Sequence, residues 1–258
     1  MNIQDLGVSE ELSEALKKQQ IEKAFPVQEQ VIPKMLAGEN VAAIAPTGTG
    51  KTLAYLLPAL MQIDAADQSP QAVVLAPTYE LAMQIARTAQ ELTQAAGLPI
   101  RTAGLVGGAN TARQIERLKK KKPQLITGSA GRLIELAQKG KLRLHDVSLL
   151  VLDEFDRLFD AQNMEHTAAF VQMLRKARGE RPISYALFSA TAPKKALEQA
   201  DFLDHPALIR VEAAPEDLAR IEHYAMVVPF RDKIQRVRKL TRRLGVKRGL
   251  VFTNRVFD

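Results

Sequence analysis

The feature that most constrains the fold is a regular alternation of short apolar runs with longer segments of helical spacing. The apolar runs are rich in Val, Ile, Leu and Ala, and they fall at 41–45, 72–77, 101–106, 124–127, 147–152, 185–190 and 207–212. Between them, segments such as 80–96 place apolar residues at helical spacing. Strands that are apolar almost continuously and are separated by helices indicate a mostly parallel sheet with helices on both faces. We therefore predict an α/β doubly wound fold, in which ligands bind at the carboxyl ends of the strands.

Composition narrows the classes of function. The chain has 258 residues, no cysteine and a formal net charge of +7. Without cysteine, disulfide bonds and thiolate metal sites are excluded. No apolar run reaches the roughly 20 residues of a membrane helix, so we expect a cytoplasmic protein without a membrane partner. The basic balance favours an anionic partner such as nucleic acid. The run Lys119 to Lys122 does not decide this, because cations at a helix end also offset the macrodipole.

A change of pattern after Glu212 predicts a domain boundary. We expect a first domain at 1–212, a small and polar linker at 213–220, and the truncated start of a second domain at 221–258. Within this last segment we predict two strands and a helix, at 221–230, 249–254 and 232–245 respectively. So small a unit cannot bury an adequate core by itself, which is why we expect it to belong to a larger domain.

The strongest local signal is VAAIAPTGTGKTLAYLLPAL, in which a predicted strand runs through a Gly-rich loop into an apolar helix. In a phosphate-binding loop, backbone N–H groups and the helix N-terminus converge on phosphate oxygens, and glycines allow the close approach. Lys51 is then expected to contact the β- and γ-phosphates, and the Thr52 hydroxyl to ligate magnesium. The competing interpretation is a turn that binds nothing. The loop residues are Pro46, Thr47, Gly48, Thr49 and Gly50, and Ala45 replaces the first glycine of the general pattern.

A second predicted strand, 147–152, ends in Asp153 and Glu154. By itself this end is also compatible with a solvated acidic loop. The carboxyl ends of parallel strands meet at one edge of a sheet, so these acids are expected to face the phosphate loop. Asp153 is then expected to hold magnesium, and Glu154 to orient and deprotonate the attacking water.

Together with the triplet Ser189-Ala190-Thr191, these motifs resemble, in this order, the DEAD-box RNA helicases of helicase superfamily 2. Five further segments match the family pattern: Gln28 in FPVQEQ, PTYELAMQ at 77–84, Gly107-Gly108, SAGR at 129–132 and GLVFTN at 249–254. The resemblance covers essentially the whole chain. It implies a RecA-like P-loop domain that uses ATP and Mg²⁺ and acts on RNA, either a single strand or a short duplex. It also implies local duplex unwinding coupled to ATP binding and hydrolysis, a monomeric protein, and association with ribosomes or ribonucleoprotein particles.

The same resemblance implies roles for individual residues. Gln28 would contact adenine, and Asp156 would hydrogen-bond to Ser189 and Thr191, coupling the nucleotide to the second domain. The RNA backbone would lie on Pro77, Thr78, Tyr79, Glu80, Gly107, Gly108, Ser129, Gly131 and Arg132. The family's arginine fingers would follow Asp258, so residues 1–258 alone are expected to be nearly inactive.

Several positions depart from the family pattern. Ile3 stands where an aromatic side chain would stack on adenine, and Ala24-Phe25 replaces Pro-Thr before Gln28. Tyr79 replaces an arginine, which removes one cation from the predicted RNA path, and Ala130 replaces a proline. Phe155 makes the acidic motif Asp-Glu-Phe-Asp, and strand alternation predicts that its ring points away from the metal into the core.

Two alternative functions remain open. The departures at Ile3, Tyr79 and Ala130 are compatible with a non-unwinding RNA-binding scaffold. A DNA-directed translocase of the same superfamily is the second alternative, although Gln28 and the Ser-Ala-Thr triplet argue against it.

Overall fold

The computed structural model describes residues 1–108, 110–191, 205–211 and 224–251, with the single residues 196, 198 and 203. By its internal contacts the chain divides into two units, Met1–Ala213 and Ala214–Asp258. All the strands of the described residues belong to the first unit.

The first unit is built on a seven-stranded sheet in which every pair of neighbouring strands is parallel. The order across the sheet is β3-β4-β2-β5-β6-β1-β7. This confirms the predicted fold class, and each strand overlaps one predicted apolar run. The strands are β1 (Val41–Ile44), β2 (Ala72–Leu75), β3 (Thr102–Leu105), β4 (Leu125–Gly128), β5 (Leu149–Asp153), β6 (Ser184–Ser189) and β7 (Ala207–Arg210).

Helices cover both faces of this sheet. Alternate residues of a strand point to opposite faces, so in β5 Leu149 and Val151 join one apolar core while Leu150 and Leu152 join the other. The first core is closed by α1 (Glu10–Lys17), α2 (Pro26–Leu36), α3 (Lys51–Met61) and α4 (Tyr79–Ala95). The second is closed by α5 (Thr111–Lys121), α6 (Ala130–Gln138), α7 (Phe155–Leu158) and α8 (Met164–Arg178).

Polar side chains determine where several helices begin. The hydroxyl of Ser9 accepts a hydrogen bond from the N–H of Leu12 at the start of α1. Thr78 and Asn110 cap α4 and α5 in the same way. Such caps satisfy N–H groups that have no partner within the helix, and each contributes about 1 kcal/mol. Two of the three, Thr78 and Asn110, lie in the connections that follow β2 and β3, so they help to fix these connections at the carboxyl edge of the sheet.

The second unit is described at residues 224–251 and contains one α-helix, α9 (Lys233–Arg243), as predicted. None of the α9 residues is buried. The prediction of strands at 221–230 and 249–254 is wrong for the described positions 224–229 and 249–251, which form no strand. A strand requires a neighbouring strand for its backbone hydrogen bonds, and the described part of this unit contains no strand that could supply them. The predicted linker at 213–220 lies outside the described residues, so the domain boundaries stay a prediction.

Among the helices of the described residues, none has the length and apolar character needed to cross a membrane.

Candidate functional site

The loop between β1 and α3 turns on two glycines. Gly48 and Gly50 both have φ of +81°, in the left-handed region that other residues rarely adopt. A Cβ atom on Gly50 would lie 2.3 Å from Nε2 of Gln28, so this position also lacks space for a side chain. The Thr49 hydroxyl donates to the carbonyl of Pro46 at 2.7 Å and tightens the loop. The two glycines and this bond therefore make a tight turn that leads directly into the N-terminus of α3, where a phosphate could bind.

Lys51, the first residue of α3, folds its side chain back over this loop. Its Nζ donates to the carbonyl oxygens of Ala45 and Pro46, at 2.6 and 2.8 Å. Burial lowers the pKa of Lys51, and the negative charge of three nearby carboxylates offsets part of this shift: Asp153, Glu154 and Asp156. The ammonium group therefore lies near the acids at and just after the end of β5. β1 and β5 are not adjacent, because β6 lies between them in the sheet.

Asp153 ends β5 and is almost completely buried, with 5% of its surface exposed. One carboxylate oxygen accepts from the Tyr55 hydroxyl at 2.8 Å, and the other accepts from the Glu154 N–H at 3.0 Å. Burial raises the pKa of Asp153 to about 6, although both hydrogen bonds oppose this shift. The carboxylate is thus held in one orientation before any ligand reaches it.

Tyr55 is a site residue that the motifs did not identify. It is fully buried, and its ring packs against Phe188 of β6 with centroids 5.0 Å apart. Burial and the charge of Asp153 raise the pKa of the Tyr55 hydroxyl well above its usual range, so the hydroxyl stays protonated and donates. Its spacing could have identified it from the sequence, because Tyr55 lies four residues after Lys51 and therefore on the same face of α3.

Glu154 has a left-handed backbone, with φ of +51° and ψ of +52°. This conformation is costly for a residue other than glycine, and residues that adopt it tend to cluster at functional sites. It ends β5 and turns the chain into the short helix α7. The Glu154 side chain is 37% exposed and forms an ion pair with Arg157, whose Nη1 lies 2.9 Å from Oε2. Glu154 therefore reaches solvent at the carboxyl edge of the sheet while Asp153 stays inside.

Phe155 is buried in the core, as predicted, but the reason is different. The strand has already ended, so alternation along β5 does not set the direction of the ring. Phe155 is the first residue of α7 and is fully buried, with its ring edge-on to Phe159 at 6.2 Å between centroids.

Asp156 connects the acidic motif to the end of β6. Its carboxylate accepts a hydrogen bond from the Thr191 hydroxyl, and its other oxygen accepts from the Arg157 N–H at 3.0 Å. Ser189 is buried, and its hydroxyl oxygen accepts from the Thr191 N–H at 3.3 Å. Of the two contacts expected for Asp156, the one with Thr191 is thus present, whereas the described hydrogen bond of the Ser189 side chain goes to the Thr191 N–H. The role of Asp156 in coupling stays a prediction.

Gln28 is completely buried at the start of α2. Its Oε1 accepts from the Phe25 N–H at 2.9 Å, and its Nε2 donates to the Gly50 carbonyl at 3.1 Å. The adenine contact predicted for Gln28 would require that these bonds be exchanged. Phe25 is 47% exposed beside the same loop, whereas Ile3 is 2% exposed and belongs to the core.

The predicted RNA-contacting segments follow the carboxyl ends of β2, β3 and β4, which are neighbours in the sheet. After β2, Thr78 caps α4 and Tyr79 is 48% exposed. After β3, Gly107 and Gly108 form an exposed turn. After β4, the half-buried Ser129 and Gly131 begin α6. The structure therefore places these three segments side by side along one edge; Pro77 and Glu80 flank the first of them.

Arg132 differs from the other members of this set because its side chain is buried. The guanidinium donates to the Val106 carbonyl at 3.2 Å, to the Thr111 hydroxyl at 2.7 Å and to Glu135 at 2.7 Å. These bonds fasten α6 to the two ends of the turn that carries Gly107 and Gly108. Arg132 thus supports an exposed turn, and its own contact with RNA stays a prediction.

The donor set fits a magnesium ion better than a fully protein-bound metal. Within the part of the chain that the structure describes, no group of three or more His, Asp or Glu side chains could hold a metal. Magnesium usually keeps several waters and binds through one or two carboxylates together with substrate phosphates. Asp153 and the Thr52 hydroxyl at the start of α3 are the residues that would hold it.

Known proteins with similar sequences belong to the family whose motifs form this site. The model of the DEAD/DEAH box helicase family matches residues 25–200, and the chain belongs to this family. The DEAD-box ATP-dependent RNA helicase CshC of Bacillus cereus is 40% identical over 247 residues, which cover 95% of this chain and 61% of that protein. The probable ATP-dependent RNA helicase YfmL of Bacillus subtilis strain 168 is 38% identical, over 90% of this chain and 59% of that protein. The chain thus spans about 60% of the length of these two curated relatives.

Solved structures show the same fold. A DEAD box protein from Methanococcus jannaschii superposes with a TM-score of 0.72 at 28% identity, covering 93% of this chain and 63% of that one. Mss116p bound to single-stranded RNA and AMP-PNP gives a TM-score of 0.75 at 26% identity, covering 81% of this chain and 45% of that one. The seven-stranded parallel sheet is therefore the RecA-like domain of DEAD-box helicases.

Proposed function

We propose that this chain is the nucleotide-binding part of an ATP-dependent RNA helicase or RNA-remodelling ATPase. The observation that carries the proposal is that Lys51 lies near the acids at the end of β5, at one edge of the sheet. There Tyr55 holds Asp153, and Asp156 is bonded to Thr191. The names of the relatives and the RNA and nucleotide analogue bound to Mss116p support the same conclusion.

Each residue of the site has a defined task in this proposal. The loop N–H groups and Lys51 bind the β- and γ-phosphates, and for this Lys51 exchanges its two carbonyl partners for phosphate oxygens. Thr52 and Asp153 hold magnesium, which neutralises charge on the phosphates. Glu154 accepts a proton from the attacking water, since its carboxylate reaches the exposed side of the site.

In this proposal, Asp156 and Thr191 couple the nucleotide bound at this site to the second domain. The hydroxyl of Thr191 and the acidic motif are joined directly, so a shift of either strand end moves the other. RNA would cross the neighbouring turns after β2, β3 and β4, where backbone N–H groups and hydroxyls position phosphates without reading sequence. When a second domain closes over the site, the bound RNA strand would bend, and base pairing in a short duplex would be lost locally. The same proposal includes a monomeric, cytoplasmic protein that associates with ribosomes or ribonucleoprotein particles.

Two substitutions test the assignment of the phosphate loop and the base. In residues 1–258, Lys51→Ala should abolish ATP binding, whereas Glu154→Gln should bind ATP normally. In a two-domain protein that contains this chain, Glu154→Gln should lower RNA-stimulated turnover by about 10²- to 10⁴-fold, the usual contribution of a general base. Glu91→Gln, at an exposed position of α4, is the matched control and should change neither quantity. Normal turnover by Glu154→Gln would remove Glu154 from the role of base.

The two alternatives make different predictions in the same two-domain protein. A non-unwinding scaffold would bind RNA without separating a short duplex, with or without ATP. A DNA-directed translocase would show ATP hydrolysis stimulated more by DNA than by RNA. Tyr79 is exposed where the family pattern has a cation, and this is the observation that motivates testing the scaffold alternative.

A further inference from the structure

A cationic region lies along the edge strand β3, away from the proposed nucleotide site. Helices α4 and α5 cover opposite faces of the sheet, and between them runs a groove of about 750 Å³. β3 and β1 are separated by four strands, so the groove lies about 24 Å from the phosphate loop along the sheet. We call this feature the α4–α5 groove; the cations that line it are Arg101, Arg113, Arg117, Lys120 and Lys121.

The charge of this groove is nearly unopposed. Of the described residues that line it, only Glu116 carries a carboxylate. Arg113, Arg117 and Lys121 follow one another at intervals of four residues, so they form a stripe along one side of α5. None of the three forms a salt bridge with another described residue.

A second groove, of about 620 Å³, lies on the other side of the α5 end. It adds Lys119, Lys122, Lys141 and Arg143 to the same basic region. Two carboxylates line it as well, but that of Asp146 is already paired with Arg181 and His145. The basic region therefore combines residues from α5, Arg101 just before β3, and the segment after α6.

Helix stability alone does not explain this arrangement. Lysines in the last turn of α5 offset the macrodipole, but Arg113 lies in its first turn, where a cation has the opposite effect. Like charges at intervals of four residues also disfavour a helix. Arg101, just before β3, and the cations of the segment after α6 lie outside α5, so its dipole cannot account for them.

We propose that the α4–α5 groove binds the phosphate backbone of RNA that continues beyond the strand-end edge. The proposal rests on the proposed function, because the stripe starts at Arg113, just after the turn of Gly107 and Gly108 that is expected to carry RNA. From there Arg117 and Lys121 lead away along α5, whose 11 residues span about 17 Å. Flexible cations without exposed aromatic anchors suit a continuous phosphate chain of any sequence, whereas a protein partner usually supplies or requires buried apolar anchors.

The test compares two pairs of substitutions in residues 1–258. The first is Arg117→Gln with Lys121→Gln in the groove; the second is Lys17→Gln with Lys18→Gln at the exposed end of α1, which lines neither groove. Glutamine has nearly the helix propensity of lysine and arginine, and all four positions are exposed. Affinity for a long single-stranded RNA is measured by fluorescence anisotropy over a range of KCl concentrations, with sodium polyglutamate as a competing polyanion.

We expect the groove pair to weaken RNA binding and to lower the slope of log affinity against log salt by about 1.4, or 0.7 for each lost phosphate contact. The α1 pair should keep the slope of the unmodified chain. Equal slopes for both pairs would overturn the groove and leave the proposed function intact. Stronger competition by polyglutamate than by RNA of equal charge would overturn RNA as the occupant in favour of an acidic protein segment. Absence of RNA binding by the unmodified chain would count against both the groove and the proposed function.

Discussion

At the scale of single residues, Phe25 changes the expectation for the base of the nucleotide. Ile3 stands where the family pattern has an aromatic side chain, but it is buried in the core and unavailable to a ligand. Phe25 is exposed, and its ring approaches the space above Gly50 that Gln28 also borders. A ring at this place can stack on the adenine that Gln28 is expected to bind, so we expect Phe25 to supply the aromatic contact that Ile3 cannot.

Phe25→Ala should therefore weaken ATP binding by residues 1–258. Stacking of a base on an aromatic side chain contributes about 1–3 kcal/mol, which corresponds to a loss of about 5- to 150-fold in affinity. Inorganic tripolyphosphate, which has no base, should bind equally well to both proteins in the same titration. Leu208→Ala, at an equally exposed apolar position on β7, serves as the control. Tighter ATP binding after Phe25→Ala would instead show that the ring blocks access to Gln28.

At the scale of secondary structure elements, Arg132 fastens α6 to the connection between β3 and α5. Its side chain is 6% exposed, and its bonds to Val106 and Thr111 hold both ends of the Gly107–Gly108 turn. Arg132→Ala should lower the free energy of unfolding by about 2 kcal/mol, because buried hydrogen bonds from a charged donor are lost. Urea denaturation of residues 1–258 measures this change.

Lys139→Ala provides the control for the charge at Glu135, which accepts from both Lys139 and Arg132. Lys139 is 53% exposed, so solvent screens its ion pair and the free energy of unfolding should stay nearly unchanged. If both substitutions destabilised the protein equally, the pairing with Glu135 would matter, and the bonds to the turn would not.

The elements of the first unit were predictable because burial on both faces leaves a strong mark on a strand. The run ending in Leu152 is apolar at every position but Ser148, and the other central strands are nearly as apolar. The conformation just after a strand is less predictable, since it depends on single backbone angles: the left-handed Glu154 ends β5 and puts Phe155 on a helix. Contacts across the chain were also hidden. The sequence shows Tyr55 as one more apolar helix residue, and only the fold brings its hydroxyl to Asp153.

At the scale of the whole molecule, the described residues of the proposed nucleotide site all belong to the first unit, Met1–Ala213. This unit has its own sheet and two apolar cores, so it can hold the phosphate loop and the acids without help from the second unit. The family resemblance, however, locates the arginine fingers beyond Asp258, and the chain spans about 60% of the length of its curated relatives. Binding and hydrolysis should therefore be separable.

Residues 1–258 alone should bind ATP and hydrolyse it very slowly, with little stimulation by RNA. Arginine fingers stabilise charge on the transferred phosphoryl group and contribute about 10³- to 10⁵-fold in rate, whereas the contacts of Lys51 and Asp153 lie within this chain. The measurement compares turnover at saturating ATP and RNA for residues 1–258 and for a protein extended to the length of the relatives. Nucleotide affinity, determined on the same samples, shows that the site is intact. Strong RNA-stimulated turnover by residues 1–258 would mean that the catalytic cations are already present in this chain, and the basic residues around the strand-end edge would be the first candidates.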